Sequence, residues 1–155
     1  MSEPYSHAGL VAFRYSNFTL FVVARFFLVA ALEMQSVAVG WQIYDITRRP
    51  LDLGLVGLAQ FLPVVFLFLP AGHAADRFNR KSLVILCYVG FAVCYALLLA
   101  IAHMGVRDTR LIYAVLVLLG IVRAFNAPSA RSLLPLLVPV DVFPNAVAWN
   151  ATTFQ

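Results

Sequence analysis

The stretch GHAADRFNRKS at residues 72–82 lies between two apolar runs and decides how the chain folds. One run ends near Pro70, and the next begins at Leu83. Each run holds about 20 residues, which at 1.5 Å per residue spans the roughly 30 Å hydrocarbon core of a bilayer. We therefore interpret residues 72–82, hereafter the charged segment, as a short loop between two membrane-spanning helices. It holds one acid, Asp76, among three bases.

The composition of the chain is that of a membrane protein. Hydrophobic residues make up 63% of it and charged residues 12%, against about 45–50% and about 25% in soluble domains. The net charge is +4, but the bases lie at the ends of apolar runs, where they anchor helices to headgroups rather than bind nucleic acid. The sequence shows no nucleophile–base set, metal-ligand spacing or phosphate-binding loop. We predict no enzyme activity and no cofactor.

The hydrophobicity pattern predicts four membrane spans, at about residues 18–41, 53–71, 83–103 and 111–125. Residues 1–17 form a leader, residues 126–139 a polar stretch with prolines, and a fifth helix begins near residue 142. The sequence stops at Gln155, before that helix is long enough to cross a bilayer. We interpret the chain as incomplete; the alternative is a finished four-span protein with a surface-lying helix at residues 142–155. The predicted fold is an all-α polytopic membrane helix bundle.

The arginines and lysines predict the orientation of the spans. The leader, the charged segment and the region after the fourth span lie on one side and hold Arg14, Arg77, Arg80, Lys81, Arg123 and Arg131. The opposite side holds Arg48, Arg49, Arg107 and Arg110. Because cytoplasmic loops carry the excess of bases, we expect the N-terminus and the charged segment in the cytoplasm.

The charges of residues 72–82 suggest a switch. Asp76 follows an apolar helix, and Arg77 and Arg80 lie within one turn of it. An acid at that depth needs a base or a helix N-terminus as partner, and a pair that forms in only one global state would act as a latch. The alternative is a plain loop with cytoplasmic bases. We expect Asn79 to make the sharp turn, because asparagine tolerates left-handed backbone.

The charged segment resembles the loop between the second and third helices of major facilitator superfamily transporters, whose pattern is roughly G-x-L-A-D-R-x-G-R-[KR]. The matching residues are Gly72, Ala75, Asp76, Arg77, Arg80 and Lys81. Ala74 stands where leucine is usual, and Asn79 stands where glycine is usual. The resemblance implies a conformational-switch loop made of Gly72, Asp76, Arg77, Asn79, Arg80 and Lys81.

Other parts of the chain are similar to enterobactin-exporter-like transporters, a branch found among drug:proton antiporters. They are residues 34–44, 53–63 and 123–125, with Pro128, Arg131, residues 133–135, Val138, Pro139, Asn145 and Ala146. The resemblance covers about residues 22–155 and implies two six-helix halves with the substrate path between them. This chain would be an N-terminal fragment. Four spans cannot enclose such a path, so we expect the 155 residues alone not to transport.

That resemblance implies efflux of a siderophore, drug or similar amphipathic solute by alternating access, coupled to protons, in the bacterial cytoplasmic membrane. The implied partners are the lipid bilayer, the solute, protons and the missing C-terminal half. Many drug:proton antiporters carry an arginine early in the fourth helix, before a glycine. Here the arginine is Arg123, after Gly120, so the usual proton-coupling arginine is missing from its place. The alternative function is a small, non-transporting membrane protein or truncated remnant that acts only as a membrane partner.

Polar residues inside the spans are the candidates for the cavity or proton path: Arg25, Glu33, Gln35, Gln60, Arg123 and Asn126. A charge at the bilayer centre costs about 2.5–3.5 kcal/mol, so such groups face the bundle interior. At 100° per residue, Arg25, Glu33, Ser36 and Gly40 fall within an arc of about 80°, whereas Gln35 falls outside it. Glu33 is the candidate proton carrier; the alternative is that it is hydrated near the outer interface.

Two features of the second span concern its packing and shape. We expect Gly54 and Gly57 to allow close approach of a neighbouring helix, because glycines at membrane helix interfaces let backbones come together. We expect Pro63 to bend the helix.

Overall fold

The protein is all-helical in the computed structural model, which describes residues 16–133 and residue 147. The helices are α1 (Ser16–Thr47), α2 (Pro50–Phe66), α3 (Phe68–Arg77), α4 (Arg80–His103) and α5 (Thr109–Leu133). No strand occurs in the described residues. The predicted all-α class is confirmed. Most of the predicted leader and the predicted fifth helix lie outside the described residues.

The helices have the length and surface of membrane spans. α1, α4 and α5 are each long and apolar enough to cross a bilayer, and α2 with α3 counts as a fourth, bent span. Large apolar side chains point outward: Trp41 is 75% exposed, Phe66 74% and Leu69 80%. Because a soluble monomer rarely exposes so much apolar surface, this surface is suited to contact lipid. The chain is therefore a multi-pass membrane protein.

The fourth long helix extends past the predicted end of its span. α5 continues through Pro128 to Leu133, whereas the predicted span ends at residue 125, before a polar stretch with prolines. Proline is tolerated in membrane helices where serine or threonine side chains satisfy freed backbone groups. The Ser129 hydroxyl donates to the carbonyl of Phe125 at 2.6 Å, beside the carbonyl that Pro128 cannot reach.

The second span is bent by 53° at the junction between α2 and α3. The backbone N–H of Leu67 bonds to the Pro63 carbonyl at 2.9 Å, and that of Ala71 to the Leu67 carbonyl at 2.8 Å. Between them, Pro70 has no N–H for the carbonyl of Phe66, and its ring crowds that carbonyl. The bend is therefore explained by Pro70. We expected it at Pro63, but it lies one turn beyond that residue.

The described residues form two compact units. The first contains residues 16–34 and 131–133, and the second contains residues 35–130. In the first unit, Phe18, Phe21 and Val22 of α1 are buried. The second unit holds the rest of α1, all of α2, α3 and α4, and most of α5. All the close helix packing described next belongs to this second unit.

Buried side chains of α4 form one stripe with alternating spacings of three and four: Val84, Cys87, Phe91, Cys94 and Leu98. This is the spacing of a helix that packs along a single seam. Both cysteines are free and buried, so they serve as packing residues of this stripe.

Two glycines of the second unit, Gly120 and Gly90, lie where a neighbouring helix leaves no room for a side chain, and Gly40 lies at ordinary contact distance from its neighbour. A Cβ at Gly120 of α5 would lie 2.5 Å from the Gln60 carbonyl oxygen of α2. A Cβ at Gly90 of α4 would lie 2.9 Å from Val122 of α5, and one at Gly40 of α1 would lie 3.5 Å from Leu53. Small residues thus set the helix spacing, as is typical of membrane bundles.

The two glycines expected to do this were the wrong ones. A Cβ at Gly54 or Gly57 would meet nothing within 4 Å among the described residues. We expected Gly54 and Gly57 to form the packing face of α2. The close approach to α2 instead occurs at Gly120 of α5.

One end of the second unit joins the start of α2 to the start of α5. The Tyr113 hydroxyl donates to the backbone carbonyl of Asp52 at 3.3 Å. At the ends of α1 and α4, Trp41 and Gln42 line one groove with Ala102 and Arg107. α2 and α5 therefore start at the same end and run in the same direction, whereas α1 and α4 finish there. Thr47, Pro50, His103 and Thr109 mark this common end.

Candidate functional site

The charged segment is mostly helix rather than loop. α3 continues through Asp76 to Arg77, and α4 begins at Arg80. Only Phe78 and Asn79 connect them, with Phe78 63% exposed. The charges therefore lie on two helix ends: Asp76 and Arg77 on the last turn of α3, and Arg80 and Lys81 on the first turn of α4.

Asn79 begins α4 in a different way from the one expected. Its backbone is extended, with φ −61° and ψ 114°, and not left-handed. Its side-chain Oδ1 accepts hydrogen bonds from the backbone N–H groups of Lys81 at 3.1 Å and Ser82 at 3.3 Å. Asn79 is thus the N-cap of α4, a position that asparagine favours because it satisfies N–H groups without helical partners.

Three of the four charges of this segment are placed against the helix dipoles, whereas Arg77, in the last turn of α3, is placed favourably. Asp76 lies at the C-terminal end of α3, where a negative charge is disfavoured, and Arg80 and Lys81 lie at the N-terminal end of α4, where positive charges are disfavoured. Asp76 is exposed and makes no ion pair or hydrogen bond within the part of the chain that the structure describes. Local helix stability therefore does not explain these charges.

A second candidate site is a cleft of about 340 Å³ between α1, α2 and α5. We call it the polar cleft, and it is lined by Ser36, Gly57, Gln60, Phe61, Val64 and Arg123. The structure thus brings together Gln60 and Arg123, two of the predicted cavity residues, although they are distant in sequence. Ser36, on the predicted cavity-facing arc of α1, joins them.

The polar cleft lies near the middle of its helices along their length, and the Ser36, Phe61 and Arg123 side chains that line it are exposed. At 1.5 Å per residue, Ser36 is about 17 Å from Thr47 and Gln60 about 15 Å from Pro50, close to half of a roughly 30 Å hydrocarbon core. Arg123 is about 21 Å from Thr109. Because Cβ atoms tilt toward the N-terminus of a helix, its side chain leans back toward the depth of Gln60.

Close packing of α5 on α2 explains why Arg123 reaches this cleft. Gly120 lies against the Gln60 carbonyl, and Arg123 is one helical turn further along the same side of α5. The side chain of Gln60 and that of Arg123 then border the same space. Gly57 leaves its part of the cleft open, since a Cβ there would meet nothing within 4 Å.

Tyr95 of α4 is a polar residue that the sequence interpretation missed. Its ring stacks on Phe91 with the centroids 6.3 Å apart. Its hydroxyl is buried without a hydrogen-bond partner among the described residues and lies within electrostatic range of the Arg123 guanidinium. The available signal was a hydroxyl-bearing side chain within a largely apolar span, which Tyr95 shares with Tyr88, so the sequence alone did not single it out.

The other predicted cavity residues are not among those that line the polar cleft. Both side-chain amide atoms of Gln35, and Nδ2 of Asn126, are buried without a hydrogen-bond partner among the described residues. Arg25 and Glu33 lie on the part of α1 in the first unit, where Glu33 is exposed. Residues 16–133 contain no group of three or more His, Cys, Asp or Glu side chains suited to hold a metal.

Comparison with known proteins identifies a family. The sequence profile described as transmembrane secretion effector matches residues 7–155, nearly the whole chain. No curated protein and no solved structure matches the chain significantly.

Proposed function

The chain belongs to the transmembrane secretion effector family of the major facilitator superfamily, a superfamily of membrane transporters, and we propose that it exports a bulky amphipathic solute by alternating access. A siderophore or a drug has the required chemistry. The proposed location is the bacterial cytoplasmic membrane, with the N-terminus in the cytoplasm, and lipid, solute and protons as partners.

The polar cleft is the observation that supports this proposal. Three helices bring Ser36, Gln60 and Arg123 to one space at mid-membrane depth. Polar and charged groups at that depth are costly and normally face a substrate or ion path. Phe61 and Val64 add apolar wall to the same cleft, so both parts of an amphipathic solute find matching groups there.

The charged segment supports the conformational half of the proposal. Asp76 is exposed on the end of α3 and has no partner in the described residues. Gly72, on the same short helix, has open space where a Cβ would lie, so packing within the described residues does not require glycine there. We propose that another segment docks on this surface in one global state, with Asp76, Arg77, Arg80 and Lys81 as the latch.

Proton coupling is the least specific part of the proposal. Glu33 is the proposed proton carrier, because it is a carboxylate within the apolar run of α1. Arg25 and Gln35 on the same helix, and Asn126 on α5, are further candidates for the proton path. Arg123 follows Gly120 rather than preceding it, so we assign it to the polar cleft and not to proton coupling.

Export of a fluorescent amphipathic dye tests the proposed function. Cells of an efflux-deficient bacterial strain expressing the complete gene should lower their dye content relative to cells with an empty vector. Gln60→Leu, which removes the amide from the polar cleft at similar volume, should abolish most of this export. Leu58→Ala is the matched control on the outward side of α2 (48% exposed) and should export normally. Dye content equal to the empty vector, across dyes of different charge, would favour a non-transporting membrane protein.

A further inference from the structure

We infer that the polar cleft binds an anionic group, so that the exported solute is an amphipathic anion rather than a cation. That the solute is exported rests on the proposed function. Binding of an anionic group can be measured without transport. The argument uses the charge of the cleft, the chemistry of its walls and its depth.

The charge of the polar cleft is purely positive. Arg123 is the one charged residue among the six that line it. It makes no ion pair or hydrogen bond with the described residues. A guanidinium keeps its charge under all physiological conditions, and its attraction for an opposite charge grows as the surroundings become less polar. The cleft therefore favours an anion and repels a cation.

The neighbouring polar groups can all donate hydrogen bonds. The Gln60 amide and the Ser36 hydroxyl share the cleft with Arg123. The Tyr95 hydroxyl is not among the groups that line the cleft, but it is unpartnered within the described residues and lies in electrostatic range of the guanidinium. Arginine binds carboxylates with two parallel hydrogen bonds, and amide and hydroxyl donors supply further ones. A carboxylate or sulfonate matches this set of donors.

The shape of the cleft fits an amphiphile. Its volume of about 340 Å³ lies at the lower end of the roughly 300–1,000 Å³ of small-molecule sites. Phe61 and Val64 form the apolar wall. An aromatic or aliphatic acid would place its charged end at Arg123 and its apolar part against these two side chains.

The competing explanation is that Arg123 extends to the membrane surface and contacts headgroups. Long basic side chains near helix ends do this. Arg107 and Arg123 are both exposed, but Arg107 lies beyond the end of α4 and outside the polar cleft, so it makes a matched control. The two explanations differ in whether charge recognition by the protein depends on Arg123.

Dansylglycine and its uncharged amide test the inference, because they share a fluorophore and differ in one charge. The protein expressed from its complete gene is purified into nanodiscs of phosphatidylcholine, and both affinities are measured by fluorescence titration at pH 7.4. The wild type should bind the acid about tenfold more tightly than the amide, the factor expected for one charge-assisted hydrogen-bond pair. Arg123→Gln should reduce this ratio to about one by weakening the acid alone.

Two further variants keep the test decisive if Arg123→Gln does not fold. Arg123→Lys keeps the charge but loses the paired, planar donors of the guanidinium. We therefore expect a ratio of acid to amide affinity between those of the wild type and Arg123→Gln. Gly57→Leu fills open space in the cleft and should weaken both ligands. Arg107→Gln should leave the ratio unchanged.

Equal binding of acid and amide by the wild type, or a ratio that survives Arg123→Gln, overturns the inference. If the ratio is as expected and no dye is exported, the proposed function fails while the inference stands. If dye is exported without any preference for the acid, the inference alone fails.

Discussion

Two of the short connections between helices use their acids in opposite ways. Between α1 and α2, at residues 45–52, Asp45 pairs with Arg48. Between α3 and α4, in the charged segment, the acid has no partner within the described residues. Both connections are short and hold similar residue types, so the difference lies in what each acid can reach.

The α1–α2 connection is closed by local bonds. A guanidinium nitrogen of Arg48 lies 2.6 Å from an Asp45 carboxylate oxygen. The Thr47 hydroxyl donates to the Ile43 carbonyl at 3.0 Å and accepts from the Arg49 backbone N–H at 3.4 Å. The ion pair is exposed and contributes only about 0.2–1 kcal/mol. This connection ends one helix and orients the next.

In the α3–α4 connection the side chain of Asn79 caps α4, and the Phe78 backbone N–H bonds to the Ala74 carbonyl. The Asp76 carboxylate takes no part in closing this turn among the described residues. The comparison therefore assigns a structural role to the acid of the first connection and a switching role to Asp76. Four predictions test this assignment, beginning with the largest effect.

The two connections should lie on opposite sides of the membrane. In a Cys87→Ala/Cys94→Ala background, single cysteines replace Arg49 and Ser82, which are both exposed. A membrane-impermeant maleimide should label position 49 in intact cells and position 82 only after permeabilisation, because the excess of bases places the charged segment inside. Rapid labelling of position 82 in intact cells, with none at position 49, would reverse the proposed topology.

Neutralising the two acids should have very different effects on transport. Asp76→Asn keeps the shape and removes the charge, so loss of its proposed contact should shift the inward–outward balance by about 1–3 kcal/mol, or 5- to 150-fold. Dye export should fall strongly at normal expression. Asp45→Asn, the same change in the other connection, should export normally.

A double variant sharpens this prediction. Arg77→Ala should also reduce export, and Asp76→Asn/Arg77→Ala should lose less than the sum of the single losses if both side chains belong to one network. If Asp76→Asn exports at the wild-type rate, the charged segment only orients the helices in the membrane, and it is not a latch.

The sequence predicted most of the helical architecture. Apolar runs indicated α1, α4 and α5, because lipid requires long uninterrupted apolar helices. It misplaced features that depend on a neighbouring helix. The close packing of α5 on α2 occurs at Gly120, and nothing local distinguishes that glycine from Gly54 or Gly57. The extension of α5 past Pro128 needed the Ser129 hydroxyl in its helical position.

The sequence predicted which polar residues belong to candidate sites, but not which of them lie together in the structure. Gln60 and Arg123 were identified because polar groups are costly in apolar spans. Their meeting in one cleft with Ser36 depends on helix pairing, which periodicity within a single helix does not contain. Asn79 was identified as a turn residue for the wrong reason, since both a left-handed turn and an N-cap favour asparagine.

Loss of the α4 cap should reduce stability moderately. Asn79→Ala removes the acceptor for two backbone N–H groups, and such changes cost about 0.5–2 kcal/mol. Asn79→Asp keeps a cap acceptor and should remain close to the wild type. The measurement is reversible unfolding in mixed detergent micelles, followed by circular dichroism. Equal stability of Asn79→Ala and the wild type would show that this cap contributes nothing measurable.

The smallest effects are expected at Arg48, in the other connection. Its backbone is left-handed, with φ 55°, a conformation that costs about 1–2 kcal/mol for an ordinary L-residue and that glycine adopts freely. Arg48→Ala keeps this strain and loses the exposed pair with Asp45, so its stability should fall by about 0.2–1 kcal/mol. Arg48→Gly also loses the pair but relieves the strain, so it should be more stable than Arg48→Ala and close to the wild type. The same micelle unfolding measurement checks the order, and both variants should export dye normally. If Arg48→Gly is the less stable of the two, the turn does not hold residue 48 in the left-handed conformation. If either variant loses export, the α1–α2 connection has a switching role as well, and the contrast with Asp76 disappears.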